Sequence, residues 1–231
     1  MNQLLPSLVE LDHHAETQPE FACWRTGYGP FEHALETQAA VFRLAHQLVQ
    51  AKLQPDLASV YRLLQAIDRL GSAGLWLVVH MTYARRVRLD GSPLCAEDFK
   101  AAPEGHTGGS LNMVPAYAGY LGLNALTGRT RAWLMGQGHC VAAIEALNLL
   151  TDNMHPEQKE AYGDGEAGLN RLLEDFYGYH QAADGSPSAP LGSHVNAHTG
   201  GGIAEGGYLG FAELQVSICN VSASNKLTPH G

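Results

Sequence analysis

The chain has 231 residues, 45% of them hydrophobic, and a formal charge of −9 with 14 lysines and arginines. That is enough apolar content for one domain, or a domain with an added subdomain, and too little basic charge for a nucleic-acid backbone to be a partner; a small phosphorylated anion can still be held by backbone N–H groups. Cys23, Cys95, Cys140 and Cys219 make no CxxC pair, which argues against a zinc ribbon or a disulfide framework, and the most apolar run, residues 73–81, is too short for a membrane span. With no basic and apolar leader at its start, the expectation is a soluble, cytoplasmic protein.

Residues 1–20 are polar, carry His13-His14 and read as a loose arm with solvated histidines. From Glu32 to Gln50 the positions Leu35, Ala39, Phe42, Leu44, Ala45 and Leu48 recur at helical spacing. Leu57, Val60, Tyr61, Leu64, Ile67 and Leu70 predict a second helix, bounded by Pro55 and by Gly71 as the glycine after its last turn. Residues 73–83 predict a third, so residues 21–100 form a mainly helical region. Asp90-Gly91-Ser92-Pro93 marks a turn, followed by a connector from Cys95 to Pro103.

Met113, Ala116, Tyr117, Tyr120, Leu121 and Leu123 predict a helix closed by Gly128, and Arg131–Met135 predicts a buried strand. Helices follow over 141–150 and from Asp164 onward, the latter with Asp164 as N-cap and Glu166 in its first turn. Residues 181–190 read as a surface loop, and residues 215–231 as an atypical polar tail.

Within this frame three histidines stand among glycines: Glu104-Gly-His106-Thr-Gly-Gly109, Gly136-Gln-Gly-His139-Cys140 and Gly192-Ser-His194-Val-Asn196, the last running into Gly200–Gly210. Taken singly, each histidine reads as a hydrogen-bonded structural residue. Together they read as one pocket, since glycine lets the backbone approach a ligand and imidazole moves protons near neutral pH. His194 and His198 are four apart, but the glycines around them argue against a helical metal pair, and no metal ligand is assigned.

These turns resemble the N-terminal part of thiamine-diphosphate-dependent phosphoketolases (xylulose 5-phosphate/fructose 6-phosphate phosphoketolase). That family has a GHWGT-type turn, a GxGHGG turn after a strand, a DEAGMRRLF helix and an SHVAPETPGSIHEGGELGY-type segment. The counterparts are Gly105–Gly109, Gly136–Cys140, Gly165–Leu173 and Ser193–Phe211, in the same order from about Arg88 to Leu214. Thr107, Cys140, Ala204 and Tyr208 depart from the family's tryptophan, glycine, histidine and glutamate.

The resemblance implies an α/β fold for residues 101–214, with a thiamine-diphosphate-type parallel sheet flanked by helices, incomplete here, behind a helical N-terminal extension. It implies that His106, His139 and His194 are catalytic, that His139, Gly206 and Gly207 face the cofactor, and that thiamine diphosphate and Mg2+ are the cofactors. Sugar phosphate and inorganic phosphate are the implied ligands, in a homo-oligomer such as a dimer. The Gly163-Asp164-Gly165 triplet is not read as the metal motif, because the polar stretch before it, with Pro156, cannot be a buried strand. That motif belongs beyond Phe211, so the expectation is a truncated chain, inactive alone as a lyase; the alternative is a non-catalytic interaction module derived from the same fold.

Overall fold

The computed structural model describes residues 6–27, 32–131, 140–154, 156–163, 165–178, 180–181, 183 and 187–188. The described residues are mainly helical: α1 (Leu8–Thr17), α2 (Pro19–Arg25), α3 (Leu35–Gln50), α4 (Leu57–Tyr83), α5 (Thr107–Thr127), α6 (Val141–Leu150), α7 (Pro156–Ala161) and α8 (Glu166–Asp175). A 3-10 turn occupies Ala96–Asp98, and β1 (His180–Gln181) pairs antiparallel with β2 (Pro187–Ser188) inside the expected surface loop. No parallel sheet is present among the described residues, and the expected strand at Arg131–Met135 lies outside them but for Arg131. The chain divides into two compact units, Met1–Ser72 with Ala118–Thr130, and Ala73–Tyr117 with Arg131–Gly231.

The core of the first unit is Leu11, Phe21, Trp24, Ala39, Ala45, Leu48, Val60, Tyr61 and Leu126. Helix α1 overturns the loose-arm expectation. Ser7 and Glu10 cap it reciprocally, Ser7 accepting from the Glu10 N–H while Glu10 accepts from the Ser7 N–H, and Leu11 is buried. Of its histidine pair, His13 is exposed, but His14 packs edge-on against Phe21 and Phe42, at 4.9 and 4.7 Å between ring centroids. Its Nε2 lies 2.8 Å from the Tyr61 hydroxyl. Burial and the neighbouring His46 and His13 lower the His14 pKa to about 4, and burial raises that of Tyr61.

Helix α4 runs through Gly71 and joins two helices expected to be separate. A glycine terminator works by adopting a left-handed φ, and Gly71 is not among the positive-φ glycines, which among the described residues are Gly27, Gly91, Gly105 and Gly128. The apolar period continues across it instead, from Ile67 to Val78 and Met81. Gly128, with φ +63°, ends α5 as expected. Ile67 sits over Gly122, where a side chain on Gly122 would collide with it.

In the second unit α6 is buried on nearly every side, with Val141, Ala142, Ala143, Ala146, Leu147 and Leu149 in the core. The polar Asn148 in its middle is satisfied: Tyr117 O–H donates to its Oδ1 at 2.8 Å and Asn153 Nδ2 at 3.2 Å. Leu147 reaches the space above Gly74, 2.5 Å from where a Cβ would stand. Gly168 in α8 meets main chain: a Cβ there would lie 2.7 Å from the Gly163 carbonyl oxygen and 2.9 Å from its Cα. The glycine of the Gly165–Leu173 stretch is thus required by backbone packing. The stretch before Gly163 is helix α7, not a strand, in agreement with setting the Gly163–Gly165 triplet aside. The N-cap of α8 is Gly165 rather than Asp164, which lies outside the described residues, while Glu166 does occupy the first turn.

Candidate functional site

The chain leaving α4 and the chain entering α5 are bound to each other. Lys100 N–H donates to the Tyr83 carbonyl at 2.9 Å, Arg85 N–H to Asp98 at 2.7 Å and Glu104 N–H to Thr82 at 2.9 Å, around a bridge between Ala84 and Phe99. Asp98 is the buried anchor of this loop. Its Oδ2 accepts from Arg88 Nη2 (2.7 Å), Cys95 N–H (3.0 Å) and Cys95 Sγ (3.1 Å). Those bonds, from Cys95 first and then Arg88, hold its carboxyl down to about 2, and the same Asp98 bond pushes the Cys95 thiol up. Helix α8 grips the other side: Val87 N–H donates to Asn170 Oδ1 at 2.7 Å and Leu89 N–H to Glu166 Oε2 at 3.1 Å.

This bracing leads into the first histidine turn. Gly105 has φ +80°, which a side chain would strain, and a Cβ there would stand 3.3 Å from the buried Phe176 ring. His106 follows and caps α5: its Nδ1 accepts from Gly109 N–H at 2.8 Å, and its carbonyl accepts from Ser110 N–H at 3.1 Å. An imidazole that accepts at Nδ1 carries its proton on Nε2 in the neutral form, so this bond fixes tautomer and ring orientation together. The ring is exposed, and a Cβ on Gly108 would meet it only in ordinary van der Waals contact, 3.7 Å from His106 Cε1. Thr107, at the departure from the family's tryptophan, donates its hydroxyl to Tyr83 OH at 3.1 Å.

Next to the turn is a cavity of about 340 Å³ lined by Arg85, Arg86, Lys100, Glu104, Leu173 and Glu174. Lys100 is its buried member: Nζ donates to the Met81 carbonyl at 2.8 Å, pairs with Glu104, and lies 5.7 Å from the Phe176 ring centroid. Burial lowers the Lys100 pKa, and the Glu104 carboxylate partly offsets this.

Of the histidines expected to meet in one pocket, the described residues contain His106 alone. His139, His194, Gly206 and Gly207 lie outside them, as do Ala204 and Tyr208. Cys140 is described: it is the buried N-cap of α6, and burial raises its thiol pKa.

Sequence reasoning missed the role of α8, whose Glu166, Asn170 and Glu174 repeat every four residues and face the arginine segment or the cavity, opposite Leu169 and Leu172 in the core. That polar repeat was the available signal.

The family model described as the XFP N-terminal domain, the phosphoketolase N-terminal domain, matches residues 60–227. The chain belongs to that family. The match takes in the His106, His139 and His194 turns of this phosphoketolase N-terminal domain, together with α8 and the Gly200–Gly210 run. No curated protein and no solved structure matches the chain.

Proposed function

We propose that this chain is the N-terminal segment of a phosphoketolase-like enzyme that uses thiamine diphosphate and Mg2+ to convert a ketose phosphate and phosphate into acetyl phosphate and an aldose phosphate. The observation that carries the reading is the family match over residues 60–227, which spans all three histidine turns. In this reading residues 101–214 build the cofactor layer as an α/β sheet flanked by helices, preceded by a mainly helical N-terminal region that includes α1, with residues 215–231 as a tail. The enzyme works as a homo-oligomer.

The described part of the site suits such ligands: a fixed imidazole at a helix N-terminus and a cavity rich in cations both favour phosphate and hydroxyl groups. Thiamine diphosphate, when bound, supplies the electron sink. His106 donates from Nε2 to a substrate hydroxyl oxygen, because its Nδ1 is committed to Gly109. By the family resemblance His139 would face the cofactor and His194 the substrate, and Gly206 with Gly207 would be the residues that let the backbone approach the diphosphate. The chain alone binds these ligands without completing the reaction.

Calorimetric titration with thiamine diphosphate, with and without magnesium, tests the reading. Magnesium-dependent binding weakened by His139→Ala supports it, and a folded chain that binds no cofactor refutes it. Acetyl phosphate formed by the chain alone would overturn the inactivity.

A second reading, an interaction module derived from the same fold, is favoured by one feature of α4. Leu75, Trp76, Val79 and Tyr83 form an apolar stripe, each between 38% and 40% exposed. Its test is self-association measured by sedimentation: concentration-dependent assembly that Trp76→Glu abolishes, in a chain that ignores the cofactor, would favour it.

A further inference from the structure

We propose that Tyr83 is a specificity-determining residue of the His106 site, its phenolic hydroxyl donating to a hydroxyl or carbonyl oxygen of the bound sugar chain. This rests on the phosphoketolase-like reading of that site and adds to it a residue from another helix, which the spacing of glycines and histidines does not reveal.

The main chain fixes where the phenol stands. Tyr83 closes α4, and its carbonyl accepts from Lys100 N–H at 2.9 Å. On one side of it the buried Thr82 accepts from Glu104 N–H at 2.9 Å, and on the other the buried Ala84 bridges to Phe99. The stretch that leads into His106 is thus bound to the residues on either side of Tyr83. The tyrosine itself stays 40% exposed.

The hydroxyl is then given a direction. Thr107 Oγ1 donates to the phenol oxygen at 3.1 Å. A phenol that accepts keeps its own proton to give, and among the described residues nothing accepts it. The proton is left for water or for a ligand. Thr107 follows His106 in the chain and opens α5, the helix that His106 caps, so the imidazole and the phenol serve one turn. The family's tryptophan carries no hydroxyl at position 107, and this donor pair therefore belongs to the present chain rather than to the family pattern.

The chemistry of the pair selects what it recognises. Tyr83 and Thr107 are both uncharged. Cations recognise a dianion far better than a neutral donor does, whereas a placed tyrosine hydroxyl is the kind of group that fixes the orientation of neutral oxygens in a ligand. Because Thr107 already holds the phenol, less side-chain freedom is lost when the ligand binds.

The test is calorimetric titration of the full chain with fructose 6-phosphate and, separately, with thiamine diphosphate and magnesium. Tyr83→Phe removes one exposed hydroxyl and is expected to weaken fructose 6-phosphate about three- to tenfold while leaving cofactor affinity unchanged. A merely structural role would move both. Thr107→Val, of the same shape without the donor, is expected to weaken the sugar phosphate about twofold, and Thr107→Ser, which restores the donor, to return it to the parent value. Equal affinity of the parent and Tyr83→Phe for fructose 6-phosphate, or a loss shared by the cofactor, overturns the inference and leaves the reading of the site in place. So does a chain that binds the cofactor and no fructose 6-phosphate. A folded chain that binds neither overturns both.

Discussion

His14 couples the docking of α1 to pH. Folding takes an imidazole with an ordinary pKa of 6.5 and places it against Phe21, Phe42 and Tyr61, where its pKa falls to about 4. Between those values the unfolded chain binds the proton and the folded chain does not. His14 therefore withdraws no stability above pH 6.5 and progressively more as pH falls towards 4. Such a difference in a sealed site would be worth about 3 kcal/mol. The ring is only partly buried and solvent screens it, so a loss of about 1 to 2 kcal/mol is expected by pH 4. For a small domain this is a large share of a total stability of about 5–15 kcal/mol. Urea unfolding at half-unit pH steps from 7.5 to 4, followed by tryptophan fluorescence because Trp24 shares this core, measures it. His14→Leu removes the titrating group and keeps an apolar side chain, and its stability should fall less steeply across the same window. Parallel curves for the two proteins would refute the argument. A His14 ring that titrates near 6.5 by NMR would refute it more directly.

Other outcomes follow from single contacts. Gly168→Ala drives a methyl into the main chain at Gly163 and is expected to destabilise by about 1–3 kcal/mol, whereas Gly71→Ala, with open space around a helical glycine, should stabilise by about 0.5–1 kcal/mol; thermal melts of both separate packing from propensity. His106→Ala loses the cap of α5 and about 1 kcal/mol, while His106→Asn keeps an N-capping side chain and melts within a few tenths of a kcal/mol of the parent, which chemical denaturation can resolve. Asp98→Asn should expose the 84–99 loop to proteolysis at neutral pH. In the parent the ionised Asp98 ties that loop at any pH above about 4 and releases it as pH falls through about 2, a window below that of His14.

Much of the helical framework was legible from period and punctuation: α3, α5 with its stop at Gly128, α6 and α8 follow from apolar spacing that tertiary packing then uses. The break expected at Gly71 was not real, because glycine only permits a left-handed φ, and whether the chain takes it is decided by the apolar face that continues from Ile67 to Val78. Helix α1 was missed although its Ser7-Leu-Val-Glu10 capping box stands in the text; with Leu11 as its one buried apolar residue, the period was too thin to register. His106 was singled out by its glycines, and the structure adds what spacing cannot, the tautomer and its place as the cap of α5. The cavity was invisible because its lining arrives from three separate stretches, Arg85-Arg86, Lys100 to Glu104 and Leu173-Glu174, and no local pattern joins them.

The brace between residues 84 and 99 sets where this chain tolerates cargo. Its two arms are tied by the bridge between Ala84 and Phe99 and by the Arg88–Asp98 pair, so the span between them enters the fold as a closed loop whose tip, Asp90-Gly91, is exposed. Doubling the length of such a loop costs only about 0.6 kcal/mol, because the ends stay fixed while the tip alone gains freedom. An epitope, a fluorophore or an immobilisation tag inserted between Gly91 and Ser92 therefore leaves the His106 turn and the arginine segment as they are, and makes this loop the natural handle for surface-tethered or single-molecule work on the protein.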